Sequence, residues 1–382
     1  MKQIIQDLFN EAGITVNGQQ PWDITVRNDQ FYKRLLTNTD LAIGETYMDN
    51  WWDTSNLDQF FYRIFTADLE RKALTHPKFW RSALRQTFFE ALRRFFNFQT
   101  KEKARAVAER HYDIGNDLYT HMLDKRMVYT CAYWENAANL DEAQEKKLKL
   151  TCEKLGLKPG MQVLDIGCGW GSFLKYAAEH YGVSAVGVTI SKAQVDLANK
   201  NCAGLPIEIR LQDYRDLLNS TVKYDRIVSL GMFEHVGHKN YVTYMKTMAH
   251  CLKDDGLFLL HTIGANRFST VTSRWINTYI FPHGQLPSIA AIAASLEGIF
   301  VMEDWHNIGV HYDKTLMAWH QNFNANWIQI KKSNPNLDDR FRRMWNYYLL
   351  SSAANFRARQ LQLWQIVLSK NGLKEGFERP VI

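Results

Sequence analysis

The stretch Val163-Leu-Asp-Ile-Gly-Cys-Gly-Trp-Gly171 is an apolar run that ends in three alternating glycines and leads into a helical pattern. Glycine has no Cβ, so it adopts positive φ and lets a backbone approach a ligand closely. Asp165, at the end of the run, can accept hydrogen bonds within or beside the loop. Strand, glycine loop and helix in this order read as a nucleotide-cofactor loop rather than a turn that merely joins two elements.

The glycines Gly167, Gly169 and Gly171 are spaced G-x-G-x-G. A dinucleotide fingerprint has G-x-G-x-x-G and an acid about 20 residues further on for a ribose hydroxyl, and neither is present. Trp170, between the last two glycines, leaves little room for a pyrophosphate at the helix N-terminus. The pattern fits the methionine and ribose parts of S-adenosylmethionine.

From about residue 111, short apolar runs alternate with helical segments. The runs Gln162–Ile166, Ser184–Thr189, Ile207–Gln212, Arg226–Ser229, Gly256–His261, Phe300–His306 and Leu361–Leu368 predict the strands of an α/β fold, a doubly wound, Rossmann-like sheet with buried strands. Ligands in such sheets lie at the carboxyl ends of the strands. After the second run come Thr189, Ser191 and Gln194, neutral groups where many methyltransferases place an acid for the ribose. After the third, Gln212, Asp213 and Tyr214 offer polar and aromatic groups to bracket an adenine.

The fourth run ends in Leu230-Gly-Met-Phe-Glu-His-Val-Gly237 and the fifth in Leu260-His-Thr-Ile-Gly264. Glu234, His235 and His261 there supply a carboxylate and two imidazoles for proton transfer or anion binding. The plainer reading makes Glu234 a binder of a backbone amide and His261 a satisfied core histidine. Upstream, His111-Tyr-Asp-Ile-Gly-Asn-Asp-Leu-Tyr119 and Tyr129-Thr-Cys-Ala-Tyr-Trp134 predict an aromatic lid over residues 111–135, with Cys131 a small pocket residue rather than a nucleophile.

At 382 residues the chain is long enough for two units with real cores. Residues 1–70 predict a small mixed unit with helices near Lys2–Ala12, Asp29–Leu36 and Leu57–Thr66, a short strand Asp23–Val26, and Trp51 and Trp52 in core packing. Residues 71–110 carry eleven Lys or Arg against three Glu, so this segment holds +8 and the rest of the chain is net −2. Phe79, Trp80, Leu84, Phe88, Phe89, Leu92, Phe95 and Phe96 recur there at helical spacing, a basic amphipathic pattern suited to an anionic surface. Lipid is favoured over nucleic acid because bulky phenylalanines suit acyl chains; a helical pair packing its Phe face inside the first domain remains the alternative. Five cysteines without a C-x-x-C pair suggest neither zinc nor a disulfide framework. The start lacks an apolar leader pattern, which predicts a cytoplasmic protein.

Gly44-Glu-Thr-Tyr-Met-Asp49, Tyr112-Asp-Ile-Gly-Asn-Asp117, Tyr129 to Trp134, Val163 to Gly171, Gln212-Asp-Tyr-Arg-Asp216, Gly231 to Gly237, Phe281-Pro-His-Gly284 and Phe356-Arg-Ala-Arg359 form a specific combination. With them the chain resembles bacterial cyclopropane-fatty-acyl-phospholipid synthases and, more distantly, mycolic acid cyclopropane synthases. The resemblance implies a class I methyltransferase fold with a mostly parallel seven-stranded sheet and a smaller, mainly helical N-terminal domain. It implies a lipid-associating domain over residues 1–110 and a catalytic domain over 111–382. It also implies transfer of a methylene from S-adenosylmethionine to the cis double bond of an unsaturated acyl chain in membrane phospholipid, through a carbocation. The cofactor positions are Tyr129, Thr130, Asp165, Gly167, Gly169, Gly171, Thr189, Ser191, Gln194, Gln212, Asp213 and Tyr214. By the same resemblance Cys131, Glu234, His261, Ile263 and Tyr312 hold a bicarbonate that takes the proton, and the enzyme is a homodimer peripheral to the inner face of the cell membrane, with no nucleic-acid partner. Ser352 stands where many relatives have a cysteine, which argues against a thiol mechanism, and Thr130 keeps a hydroxyl where serine is common. The rivals are an ordinary methyltransferase of another lipid or small molecule, and a binding module that has lost its activity.

Overall fold

The computed structural model describes residues 2–75, 84, 88, 97, 99–101, 115–270 and 273–382. Two compact units emerge, neither of them one continuous stretch: Met1–Phe96 with Ser269–Pro282 and Leu316–Leu361, and Asn97–Phe268 with His283–Thr315 and Gln362–Ile382.

The first unit is mainly helical, with a two-residue ladder of β1 (Thr25–Val26) against β2 (Trp52–Asp53). Its helices Lys2–Glu11, Gln30–Met48 and Leu57–Thr66 lie where the apolar spacing predicts them, though the second runs twelve residues beyond Leu36 across a kink at Asn38. Gly44 is needed on that helix because a Cβ there would stand 2.3 Å from the Trp275 ring. Trp52 is fully buried and donates Nε1 to the Ile43 carbonyl at 3.1 Å, as core packing requires. From residue 76 on, the basic segment 71–110 lies almost wholly outside the described residues. Of its apolar residues, Leu84 and Phe88 are described, and both are exposed, at 62% and 59%.

The second unit is built on one seven-stranded sheet: β3 (Gln162–Ile166), β4 (Ser184–Thr189), β5 (Ile207–Leu211), β6 (Tyr224–Leu230), β7 (Leu252–Ala265), β8 (Val301–Asn307) and β9 (Leu361–Ser369). The order is β5-β4-β3-β6-β7-β9-β8. β3 pairs in parallel with both β4 and β6, β4 with β5 and β6 with β7, whereas β8 runs antiparallel to β9. The chain winds outward from β3 to β5 and returns to β6 on the other side, so the crevice at the carboxyl ends of β3 and β6 is the topological switch point.

Both faces of the inner strands are buried, which is why β3, β4, β7 and β9 read as largely apolar runs, whereas the edge strands β5 and β8 carry exposed and charged residues. Leu164, Ile166, Phe258, Leu260, Trp364 and Ile366 pack on one side with the helix Tyr241–Cys251. Val163, Leu257, Leu259 and Val367 face the other, with Leu148, Cys152, Leu174 and Ala177. The period of two then puts Asp165, His261 and Gln365 on this second face.

Candidate active site

Each glycine of the loop after β3 has positive φ, at 84°, 54° and 81° for Gly167, Gly169 and Gly171. A Cβ on Gly167 would stand 2.9 Å from Met232, on the loop after β6, and one on Gly171 2.7 Å from the Cys202 sulfur. A Cβ on Gly169 would meet nothing within 4 Å. Two glycines therefore serve close packing and the middle one faces open space, the place for a ligand. Trp170 is buried, donates Nε1 to Asn116 at 3.1 Å and packs against Tyr119 at 5.0 Å, which in turn packs on Tyr129. The indole ties the glycine loop to the upstream aromatic segment.

That segment is held from below by the helix Leu140–Lys154. Gln144 donates to the Thr130 carbonyl at 2.8 Å, and the buried Lys147 ammonium donates to Thr130 Oγ1 at 2.8 Å. Asp165 is buried with Oδ1 lacking a hydrogen-bond partner. Burial pushes its carboxyl up to about 7 against the pull of Lys147. Burial likewise lowers Lys147 to about 8, opposed by Asp124, Cys131 and Asp165. An unpartnered buried carboxylate edge beside an open glycine suits the ammonium end of an amino-acid moiety, so these residues fit S-adenosylmethionine.

The other cofactor candidates are placed at the ends of β4 and β5, with their own partners. Thr189 donates to Gln194 Oε1 at 2.6 Å, and Ser191 caps the helix Lys192–Asn201 by accepting from the Gln194 amide. The Gln212 amide donates to the Thr189 carbonyl. Asp213 accepts from the Arg215 backbone and pairs with its guanidinium at 3.0 Å. Tyr214 packs in the core, edge-on to Tyr244 at 5.0 Å, with its hydroxyl unpartnered.

Glu234 lies in a 3-10 turn after β6. Its Oε1 accepts the Ile263 amide at 2.6 Å, and its Oε2 has no partner. Burial raises this carboxyl to about 7. His261 is fully buried on β7, opposite Leu230, with Nε2 unpartnered; burial, then Lys147 and Lys154, hold its pKa well below the usual value. Neighbouring His235 is brought down to about 4 by burial. Cys131 is buried, and burial raises its thiol far out of the reach of a thiolate at neutral pH. Thr315 accepts the Ala132 amide at 3.1 Å, and Tyr312 sits one turn before Thr315, so that turn meets the segment carrying Cys131. Both plain readings of Glu234 and His261 are half right: the carboxylate does bind a backbone amide and the imidazole is in the core, yet each keeps a bare polar atom.

The supporting residues Gln144, Lys147, Thr151, Thr315 and Gln365 are absent from the sequence-based assignment. The available signal was polar residues at 144, 147, 151 and 154 inside an otherwise apolar helical stripe.

An open glycine with a buried acid at the switch point of a β5-β4-β3-β6-β7-β9-β8 sheet defines a class I S-adenosylmethionine-dependent methyltransferase. Residues 99–366 match the family model described as mycolic acid cyclopropane synthetase, and the chain is 51% identical to the cyclopropane-fatty-acyl-phospholipid synthase of Escherichia coli over 98% of this chain and 94% of that one. The chain belongs to the cyclopropane-fatty-acyl-phospholipid synthase family, whose activity is methyl transfer from S-adenosylmethionine to make cyclopropane fatty acids. Among solved structures, a cyclopropane synthase from Mycobacterium tuberculosis is 30% identical with a TM-score of 0.64, covering 70% of this chain and 98% of its own. A mycolic acid cyclopropane synthase in complex with SAH and CTAB is 33% identical, with the same TM-score and coverage.

Proposed function

We propose that the enzyme acts on the cis double bond of unsaturated acyl chains in membrane phospholipid, through a carbocation whose proton is removed at a bicarbonate site formed by Cys131, Glu234, His261, Ile263 and Tyr312. The observation that carries the reading is the pair of buried, unpartnered polar atoms Glu234 Oε2 and His261 Nε2, the histidine opposite the last residue of β6 and the glutamate in the turn that follows it. Bicarbonate bound there would accept the proton lost on ring closure. Glu234, with its pKa near 7, can hold a proton on Oε2 and donate it in a hydrogen bond to an anion, which a bare carboxylate could not. The Ile263 amide is occupied by Glu234, so the backbone group that Ile263 offers is its carbonyl, which accepts the Thr262 hydroxyl and has a second lone pair for the O–H of bicarbonate. Tyr312 and the buried aromatic segment provide ring faces and exclude water, which would otherwise capture the cation.

S-adenosylmethionine lies along Gly167, Gly169 and Gly171 in this reading, with Asp165 toward its amino-acid end. Tyr129 and Thr130 lie over it, Thr189, Ser191 and Gln194 serve the ribose, and Gln212, Asp213 and Tyr214 serve the adenine. Among the described residues no helix is long and apolar enough to cross a membrane. The exposed Leu84 and Phe88, one turn apart within a segment of net +8, favour peripheral attachment to an anionic inner leaflet through the domain 1–110, with 111–382 as the catalytic domain. A homodimer would strengthen that attachment by multivalency.

Incubation with S-adenosylmethionine and unsaturated phospholipid liposomes should add one CH2 to the acyl chain with loss of its double bond, and removing dissolved bicarbonate should slow the reaction reversibly. An acyl chain left unchanged overturns the substrate assignment. Turnover indifferent to bicarbonate overturns the base.

A further inference from the structure

Gln144, Lys147, Thr151 and Lys154 recur at intervals of three, four and three along the helix Leu140–Lys154, and all are buried. That spacing keeps them on one helix face. Gln365 on β9 meets this stripe at Thr151, and the hydrogen-bond directions at their meeting point fix one another.

The Thr151 hydroxyl has one proton and donates it to the Lys147 carbonyl at 2.8 Å. Its oxygen is then an acceptor for Gln365, whose amide nitrogen lies 3.3 Å away. The same nitrogen lies 3.4 Å from Nδ1 of His261. This amide orientation leaves Gln365 Oε1 without a partner, but the reverse one would set Oε1 against the Thr151 oxygen, whose proton is already given to Lys147. With the NH2 group facing both, Nδ1 presents a lone pair and the single proton of the neutral ring is on Nε2. The alternative tautomer would set two N–H groups against each other in a fully buried place. Nε2 itself has no partner. The charged groups acting on the ring, Lys147 and Lys154, are both cations, so they oppose a second proton as burial does.

We propose that Thr151 and Gln365 are positioning residues that hold His261 as a neutral Nε2–H donor, so that His261 binds the anion beside Glu234 and does not itself remove the proton. The proposal rests on the anion site described above, but the tautomer can be read without turnover.

The test is long-range proton–nitrogen correlation NMR on the enzyme with 15N-labelled histidine, the His261 signals being assigned by their loss in His261→Gln. The wild type should show the Nε2-protonated pattern, unchanged across about pH 6 to 9. Gln365→Glu places an acceptor opposite Nδ1, so the proton should move there or the ring should gain a second one. Its kcat should then fall at least about tenfold, with KM for S-adenosylmethionine little changed. Thr151→Val frees the amide to turn, and both tautomers should appear. An Nδ1-protonated or doubly protonated ring in the wild type overturns the proposal, as does a Gln365→Glu enzyme with the wild-type pattern and kcat. Should Gln365→Glu fail to fold, the wild type and Thr151→Val decide. A wild type with the expected tautomer but no cyclopropane product counts against the function reading alone.

Discussion

The Glu234 carboxylate accepts the backbone N–H of Ile263 at 2.6 Å through one oxygen and leaves the other, buried, without a partner. Burial raises this acid from 4.5 to about 7, so between those values the folded chain binds more protons than the unfolded one, and stability falls as pH rises through that window. Glu234→Gln keeps an acceptor for Ile263 and cannot ionise. It should be more stable than wild type by on the order of 3 kcal/mol at pH 8 and nearly equal to it at pH 4, as read from melting curves. Cyclopropanation should fall at least about 100-fold.

Gly169→Ala and Gly171→Ala should fail differently. At Gly169 the new methyl meets no protein atom, so the fold should lose only about 1 kcal/mol of left-handed backbone strain while affinity for S-adenosylmethionine drops at least about tenfold. At Gly171 the methyl would strike Cys202 at 2.7 Å, and the melting temperature itself should fall. Calorimetric titration beside thermal melts separates the two.

Lys147→Met removes the donor to Thr130 and the cation that favours ionised Asp165. Asp165 should then protonate at a higher pH than in the wild type. Affinity for S-adenosylmethionine should fall about tenfold or more near pH 7 and partly recover in alkali, measured by titration calorimetry at two pH values.

Lys154 is fully buried and pairs with Asp304 at 3.3 Å, and Arg379 reaches the same carboxylate. Asp304→Asn removes the counter-charge of the ammonium and leaves it only neutral partners such as His306 Nδ1 at 3.1 Å, which should cost about 3 kcal/mol at pH 7. Burial works against the Asp304 anion, but Arg379 and Lys154 hold its pKa below the ordinary value, so its contribution is present above the usual carboxylate range and lost as pH falls through the lower folded value. The gap between wild type and variant should therefore shrink in acid denaturation.

Charge reversal at Arg93 and Arg94 should weaken sedimentation with anionic liposomes, and added salt should weaken wild-type binding in the same way. Equal binding by the variant and the wild type would remove the basic segment from the membrane surface.

The sequence by itself located the seven strands and the glycine loop, because inner strands buried on both faces must be apolar along their length and a backbone that meets a ligand favours glycine; the strand order, with β9 inserted between β7 and β8, was decided by the fold. It also singled out Glu234 and His261, since charged and imidazole groups at strand ends are conspicuous. Which groups they touch was decided only in three dimensions. Lys147 and Gln144 fall on the apolar stripe of their helix, but only the fold shows what they donate to, and Gln365 lies more than one hundred residues from the histidine it bonds. Trp170, read as an obstacle to pyrophosphate, became the bolt between the loop and Tyr119. Periodicity records which face of an element is buried; the direction of each hydrogen bond depends on partners that only the folded chain brings within reach.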